Sequence, residues 1–143
     1  MKLYMAGPLF TWGEKWQNAQ LAAELRLLGH ELFVPQEQEF QHTDAASIFR
    51  GDVEGMDWSE VIVACIDGPD PDSGTSWELG YCYAKGKPAI LYRTDFRTAC
   101  GDFDGQVVNL MLSVPARWKF VEPASSPALL ARIIDQGIKD LPL

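Results

Sequence analysis

Residues 67–80 read DGPDPDSGTSWELG, and Asp67, Asp70, Asp72 and Glu78 put four carboxylates into that stretch. Like charges this close repel one another, so a loop with a purely structural task has no reason to gather them. A phosphate cradle would need GxxxxGK(S/T) or GxGxxG, and the chain contains neither. Four acids would also repel a phosphate. What these side chains can do is carboxylate chemistry: one ionised group as nucleophile and one protonated group as acid, the pairing that cleaves a bond at a sugar's anomeric carbon. The same residues have a bland structural use. Asp72 or Ser73 would be a helix N-cap and Glu78 a first-turn carboxylate complementing the helix dipole, each worth about 1 kcal/mol. Where the fold places the segment decides between the two.

The periodicity of the chain supplies that placement. KLYMA at 2–6 is a short apolar strand broken by Gly7-Pro8, and apolar residues then recur at helical spacing from Glu14 to Leu28. HELFVP is a second strand stopped by Pro35; residues 44–58 carry helical spacing despite two glycines. VIVACID at 61–67 is a nearly continuous β-branched run, as a central parallel strand covered on both faces requires, and a helix follows from about 74 to 86. KPAILYR at 87–93 is a fourth strand, QVVNLMLS a short helix, RWKFVEP a fifth strand and 127–139 a closing helix. This βαβαβαβαβα order predicts an α/β fold with five parallel strands in the order 2-1-3-4-5 and helices on both faces. In that winding the ligand crevice lies outside the carboxyl ends of strands one and three, where the loops AGPLF and DGPDPDSG converge. The acidic loop therefore belongs to the crevice. RTDFRTACGDFDG at 93–105 is the least regular stretch and is long enough to be a lid or an interface.

The composition narrows the partners. The chain has 143 residues, about half of them apolar, which suits one domain with an adequate core. Twelve basic against twenty acidic residues, a net charge of −8, argues against nucleic acid, since phosphate neutralisation needs clustered Lys and Arg. Cys65, Cys82 and Cys100 show no CxxC spacing and only His30 and His42 accompany them, so no metal site is outlined. The expectation is a reduced, soluble, cytoplasmic protein with no signal peptide and no membrane span.

Three segments, MKLYMAGPLF, GDVEGMDWSEVIVACIDGPDPDSGTSWELGYCYAKGKPAILY and VVNLM, resemble the nucleoside 2-deoxyribosyltransferases from residue 2 to about residue 112, and the DSGTxxELG…GKP block is highly specific. The resemblance implies a flavodoxin-like doubly wound sheet, one deoxyribosyltransferase-like domain over 1–143, and salvage chemistry on nucleosides. It implies that Glu78 attacks C1′ of a 2′-deoxynucleoside to give a covalent glycosyl-enzyme. It also implies that Tyr4 orients that carboxylate, and that Asp52 binds the base and protonates it as it leaves, with Asp57 as the runner-up. Asp72 matches a contact to the sugar near its 5′-hydroxyl, and Gly7 belongs to the crevice loop after the first strand. Asn109 and Met111 match a segment that reaches a neighbouring subunit's site, which implies a homo-oligomer with shared sites. Gln38, or Gln36, in VPQEQEF is a candidate base contact. The implied partners are 2′-deoxynucleosides and free nucleobases, with no cofactor and no metal.

Each residue also has a structural alternative. Tyr4 would be a core aromatic, Asp52 an exposed helix carboxylate and Asn109 a polar interruption of a surface helix. Two rival functions stand beside transfer. One is hydrolysis of N-glycosides of (deoxy)nucleosides or their 5′-monophosphates, disfavoured by Asp72, whose charge would repel a 5′-phosphate. The other is a non-catalytic nucleoside-sensing module, which has no use for a positioned nucleophile.

Overall fold

A computed structural model describes residues 1–38, 44–95, 108–120 and 126–141, the side chains of 118–120 excepted. Five strands alternate with helices: β1 (Lys2–Ala6), α1 (Trp12–Leu27), β2 (Glu31–Phe33), α2 (Ala45–Trp58), β3 (Val61–Cys65), α3 (Ser73–Ala84), β4 (Ala89–Tyr92), α4 (Leu110–Ser113), β5 (Trp118–Phe120) and α5 (Pro127–Lys139). All pairings are parallel, in the expected order β2-β1-β3-β4-β5. This is the flavodoxin-like winding. Among the described residues no helix is long and apolar enough to cross a membrane.

Side-chain alternation along the central strands assigns each face of the sheet its task. Leu3, Met5, Val61, Val63, Cys65, Ile90 and Tyr92 pack with Leu21 and Leu25 of α1 and with Leu130 and Ile134 of α5. Tyr4, Ala6, Ile62, Ala64, Ile66 and Leu91 pack instead with Met56 of α2 and with Leu79 and Cys82 of α3. Position 4 is thus committed by strand parity to the α2/α3 side.

Element ends differ from the periodic expectation where capping intervenes. α1 starts two residues before Glu14, because Thr11 and Glu14 form a reciprocal capping box. A short 3-10 turn at Pro35–Glu37 follows β2. β3 ends at Cys65 and not at 67, since Gly68, at φ +95°, turns the chain out of the sheet. That turn is clamped on both sides: the Gly68 amide donates to Asp95 Oδ2 (2.7 Å) and its carbonyl accepts from Arg93 Nη1 (2.9 Å). The helix expected over 106–113 is seen at Leu110–Ser113, and the fifth strand at Trp118–Phe120. Of the irregular 93–105 stretch, residues 96–105 lie outside the described residues.

Candidate active site

Asp72 caps α3, its Oδ2 accepting from the Thr75 amide at 3.1 Å, so the helix begins at Ser73. That start corrects the expectation for Glu78. It is the sixth residue of α3, in the second turn, and the helix has no acidic residue in its first turn. The dipole fades within one turn, so it does little for this carboxylate. Burial governs instead and pushes the Glu78 carboxyl up to about 7, with the charges of Asp52 and Asp72 acting in the same direction. One interaction opposes the rise: the Tyr4 hydroxyl donates to Glu78 Oε1 at 2.6 Å.

Tyr4 sits fully buried in β1 beneath α3. It is both the core aromatic and the partner of Glu78, so its structural and functional readings coincide. Burial and the adjacent carboxylate raise the phenol strongly, which keeps it a donor at any physiological pH. The ring is held by Phe33 of β2, stacked at 5.4 Å between centroids and 10° between planes. Phe33 in turn lies over Gly55 of α2: a Cβ at position 55 would stand 2.6 Å from three of its ring carbons. Glycine there lets α2 approach closely enough for the ring to lie flat on Tyr4.

α2 brings Asp52 to the same place. The carboxyl is half-buried, its Oδ1 is shielded from solvent with no hydrogen-bond partner among the described residues, and burial lifts it to about 6. Asp52 and Glu78 face one another across a cleft of about 260 Å³ between α2 and α3, lined by Phe49, Asp52, Val53, Met56, Gly74, Trp77 and Glu78. Two carboxyls that titrate between 6 and 7 in an otherwise apolar cleft form a couple in which one can hold a proton while the other is ionised. Such a pair suits nucleophilic attack with acid assistance to the leaving group.

The other residues singled out by sequence fall in different places. Asp57 points away from the cleft and is committed to Tyr81, whose hydroxyl donates to its Oδ1 at 3.0 Å, and to Lys85 Nζ at 3.1 Å. Those contacts hold its carboxyl below the usual range, which unfits it as an acid. Gln38 donates to the Val34 carbonyl at 3.0 Å and lines a separate groove with Phe33, Gly51 and Gly55 on the neighbouring face of α2. Gln36 bridges the Lys15 carbonyl (2.9 Å) and Asn18 (3.1 Å), away from Glu78. Gly7 follows β1 in a close pass, where an added Cβ would meet Cys65 Cβ at 3.1 Å. Asn109 caps α4 by accepting from the Met111 amide at 2.9 Å, and Met111 is 72% exposed. Met111 lines a second, apolar cavity of about 290 Å³ with Leu79, Tyr83, Leu110 and Val114, not the Glu78 cleft.

The acidic cluster in the loop also divides. Asp67 is consumed by β4's exit, accepting from the Thr94 amide (2.5 Å), the Thr94 hydroxyl and the Asp95 amide (3.1 Å). Asp70 is exposed. Of the four, only Glu78 lines the cleft and Asp72 acts on it through its charge, so the crowding of carboxylates was a weaker signal than the identity of the helix that follows. Sequence reasoning passed over Phe49 and Trp77, whose rings meet at 5.3 Å and form the cleft's outer wall. Their signal was positional: Phe49 precedes Asp52 by one helical turn and Trp77 adjoins Glu78.

Among protein families, the chain matches the model described as nucleoside 2-deoxyribosyltransferase over residues 3–111. A solved structure of a conserved protein from Enterococcus faecalis V583 is similar at TM-score 0.71 and 28% identity, covering 95% of this chain and 98% of that one. A 2-deoxyribosyltransferase from Bacillus psychrosaccharolyticus is similar at TM-score 0.69 and 29% identity, covering 85% and 87%. One from Leishmania mexicana is similar at TM-score 0.67 and 25% identity, covering 94% and 97%. No curated protein matches the chain.

Proposed function

Because the chain belongs to the nucleoside 2-deoxyribosyltransferase family, whose members act on N-glycosidic bonds, we propose that it moves a 2-deoxyribosyl group between nucleobases through an ester on Glu78. The observation that carries this reading is the 2.6 Å hydrogen bond from a buried Tyr4 to Glu78, in a cleft that also holds Asp52. A carboxylate buried at a cleft, raised by that burial and held by a core phenol has the environment in which catalytic carboxylates are tuned.

In the first half-reaction Glu78, ionised, attacks C1′ as the C1′–N bond breaks; the electron pair of that bond goes to the base, and Asp52 delivers its proton there. Tyr4 holds the attacking oxygen's partner, Oε1, so the carboxylate presents a defined geometry. A second base then gives its proton to Asp52 and displaces Glu78 from C1′. Two inversions give net retention and ping-pong kinetics. Asp72 stands close enough to Glu78 for its charge to raise that carboxyl, and a carboxylate so near the nucleophile repels a 5′-phosphate, which supports nucleosides over nucleotides as substrates.

The same reading takes Asn109 and Met111 as contributions to a neighbouring subunit's site, in a homo-oligomer. It is supported by their absence from the lining of their own chain's cleft and by the exposure of Met111. Incubation with deoxyinosine and adenine tests the activity: deoxyadenosine signals transfer, free deoxyribose signals hydrolysis, and no product removes the catalytic reading. For the shared site, mixing inactive Glu78→Ala chains with inactive Asn109→Ala chains should restore partial activity. A monomer at assay concentration refutes it.

A further inference from the structure

The reaction requires the base to lie between Asp52 and C1′, yet neither carboxyl offers a surface for a flat ring. Phe49 and Trp77 do. Phe49 lies one turn before Asp52 on α2, Trp77 immediately precedes Glu78 on α3, and both line the cleft that holds the two carboxyls. Their rings meet edge to face at 5.3 Å with 61° between planes, bridging the helices. Both remain about half exposed, Phe49 at 53% and Trp77 at 47%, so ring surface at the cleft is left uncovered for a flat ligand to contact.

The wall is also braced from behind. Trp77 stacks on Tyr81 at 5.4 Å and 14°. Tyr81 is in turn tied by its hydroxyl to Asp57 and overlain by Lys85 Nζ at 5.0 Å from the ring centroid. Asp57, the rejected candidate for the acid, acquires a role here as the anchor of this ladder. A braced aromatic surface loses little freedom when it receives a ring.

We propose that Phe49 and Trp77 form the nucleobase-receiving wall of the cleft, and that they recognise the base by ring area, so that purine nucleosides bind more tightly than pyrimidine nucleosides. The inference deepens the function proposed above and rests on it. Neither Phe49 nor the face of an indole carries a hydrogen-bonding pattern to read, so the wall accepts any nucleobase, as stacking surfaces do. Discrimination then follows contact area, which favours the two-ring bases. Hydrogen bonding to the base falls to Asp52.

The test is a binding measurement in the full-length Glu78→Ala chain, in which nucleosides persist uncleaved. Calorimetric titration with deoxyadenosine and with thymidine should give a tighter Kd for deoxyadenosine. Adding Phe49→Leu or Trp77→Leu should weaken deoxyadenosine roughly tenfold and thymidine by less, so that the ratio of the two Kd values contracts. Trp77→Phe keeps an aromatic face and should hold both Kd values within about threefold. A merely structural brace between α2 and α3 would lower thermal stability and leave that ratio unchanged. Unchanged Kd values in the leucine variants, equal losses for both nucleosides, or a loss in Trp77→Phe as large as in Trp77→Leu would each overturn the wall alone. Failure of the Glu78→Ala parent to bind either nucleoside would overturn the proposed function and the wall together.

Discussion

Tyr4→Phe removes one oxygen atom from the site, and its effect on the pH profile can be worked out in advance. The hydroxyl donates to Glu78 Oε1 at 2.6 Å, and a hydrogen bond to a charged group contributes about 1.5–3 kcal/mol. At about 1.36 kcal/mol per pKa unit, its loss moves the Glu78 carboxyl from about 7 to roughly 8–9. In the proposed reaction the productive form needs Glu78 ionised and Asp52 protonated, whereas the raised values of about 7 and about 6 favour the opposite distribution of the single shared proton. The productive form is therefore a minor one, about a tenth of the singly protonated pair, and the bell-shaped profile carries Asp52 on its acid limb and Glu78 on its basic limb. In Tyr4→Phe the acid limb should stay near 6. The basic limb should move out by roughly one to two units, and the maximum of kcat/KM should fall about tenfold to a hundredfold, less whatever the more basic carboxylate regains as a nucleophile. Phenylalanine fills the same core position, so circular dichroism should be unchanged. A basic limb within about 0.3 units of wild type would show that Tyr4 does not tune Glu78, and a lower maximum with an unmoved limb would reduce its role to packing.

Other perturbations probe the same couple. The Glu78 carboxyl is raised from 4.5 to about 7, so its contribution to stability is complete below 4.5 and is lost as pH rises through 7. Glu78→Gln should therefore gain on wild type by about 1–2 kcal/mol between pH 5 and pH 8, the full shift being discounted for the side chain's partial exposure; urea unfolding at both pH values checks this, and a pH-independent difference contradicts it. Asp52→Asn should slow cleavage of ordinary nucleosides by about 10²–10⁴-fold while sparing donors whose leaving group needs no proton; equal losses in single-turnover assays would make Asp52 a binding group only. Gly55→Ala should push Phe33 off Tyr4, costing about 1–3 kcal/mol of stability in denaturant melts and lowering kcat more than it raises KM. An alanine variant with wild-type kcat would uncouple Phe33 from the site.

Period and parity explain what the sequence made legible. The β-branched run at 61–65 and the 2-1-3-4-5 order followed from side-chain alternation and right-handed crossovers, and the structure has both. Tyr4 was named through the family resemblance alone, and it is the structure that puts it on the α2/α3 face, which it shares with Ala6 because strand residues two apart share a side. What escaped was everything set by depth and not by direction. The dipole argument counted Glu78 into the first turn, whereas five or six residues from the helix start it lies in the second, where burial dominates and the carboxyl rises. The run Asp67, Asp70, Asp72 looked like a ligand cluster because linear spacing does not reveal that Asp67 turns back to Thr94 and Asp95, twenty-seven and twenty-eight residues away. Gly55 read as a helix weakness, whereas its cause lies on another element, in the ring of Phe33. The geometry of Glu78 therefore depends less on the loop before it than on three residues from three elements, Gly55, Phe33 and Tyr4. Their stacking order sets which oxygen of Glu78 the Tyr4 hydroxyl holds, and in the proposed reaction it is the other that meets C1′.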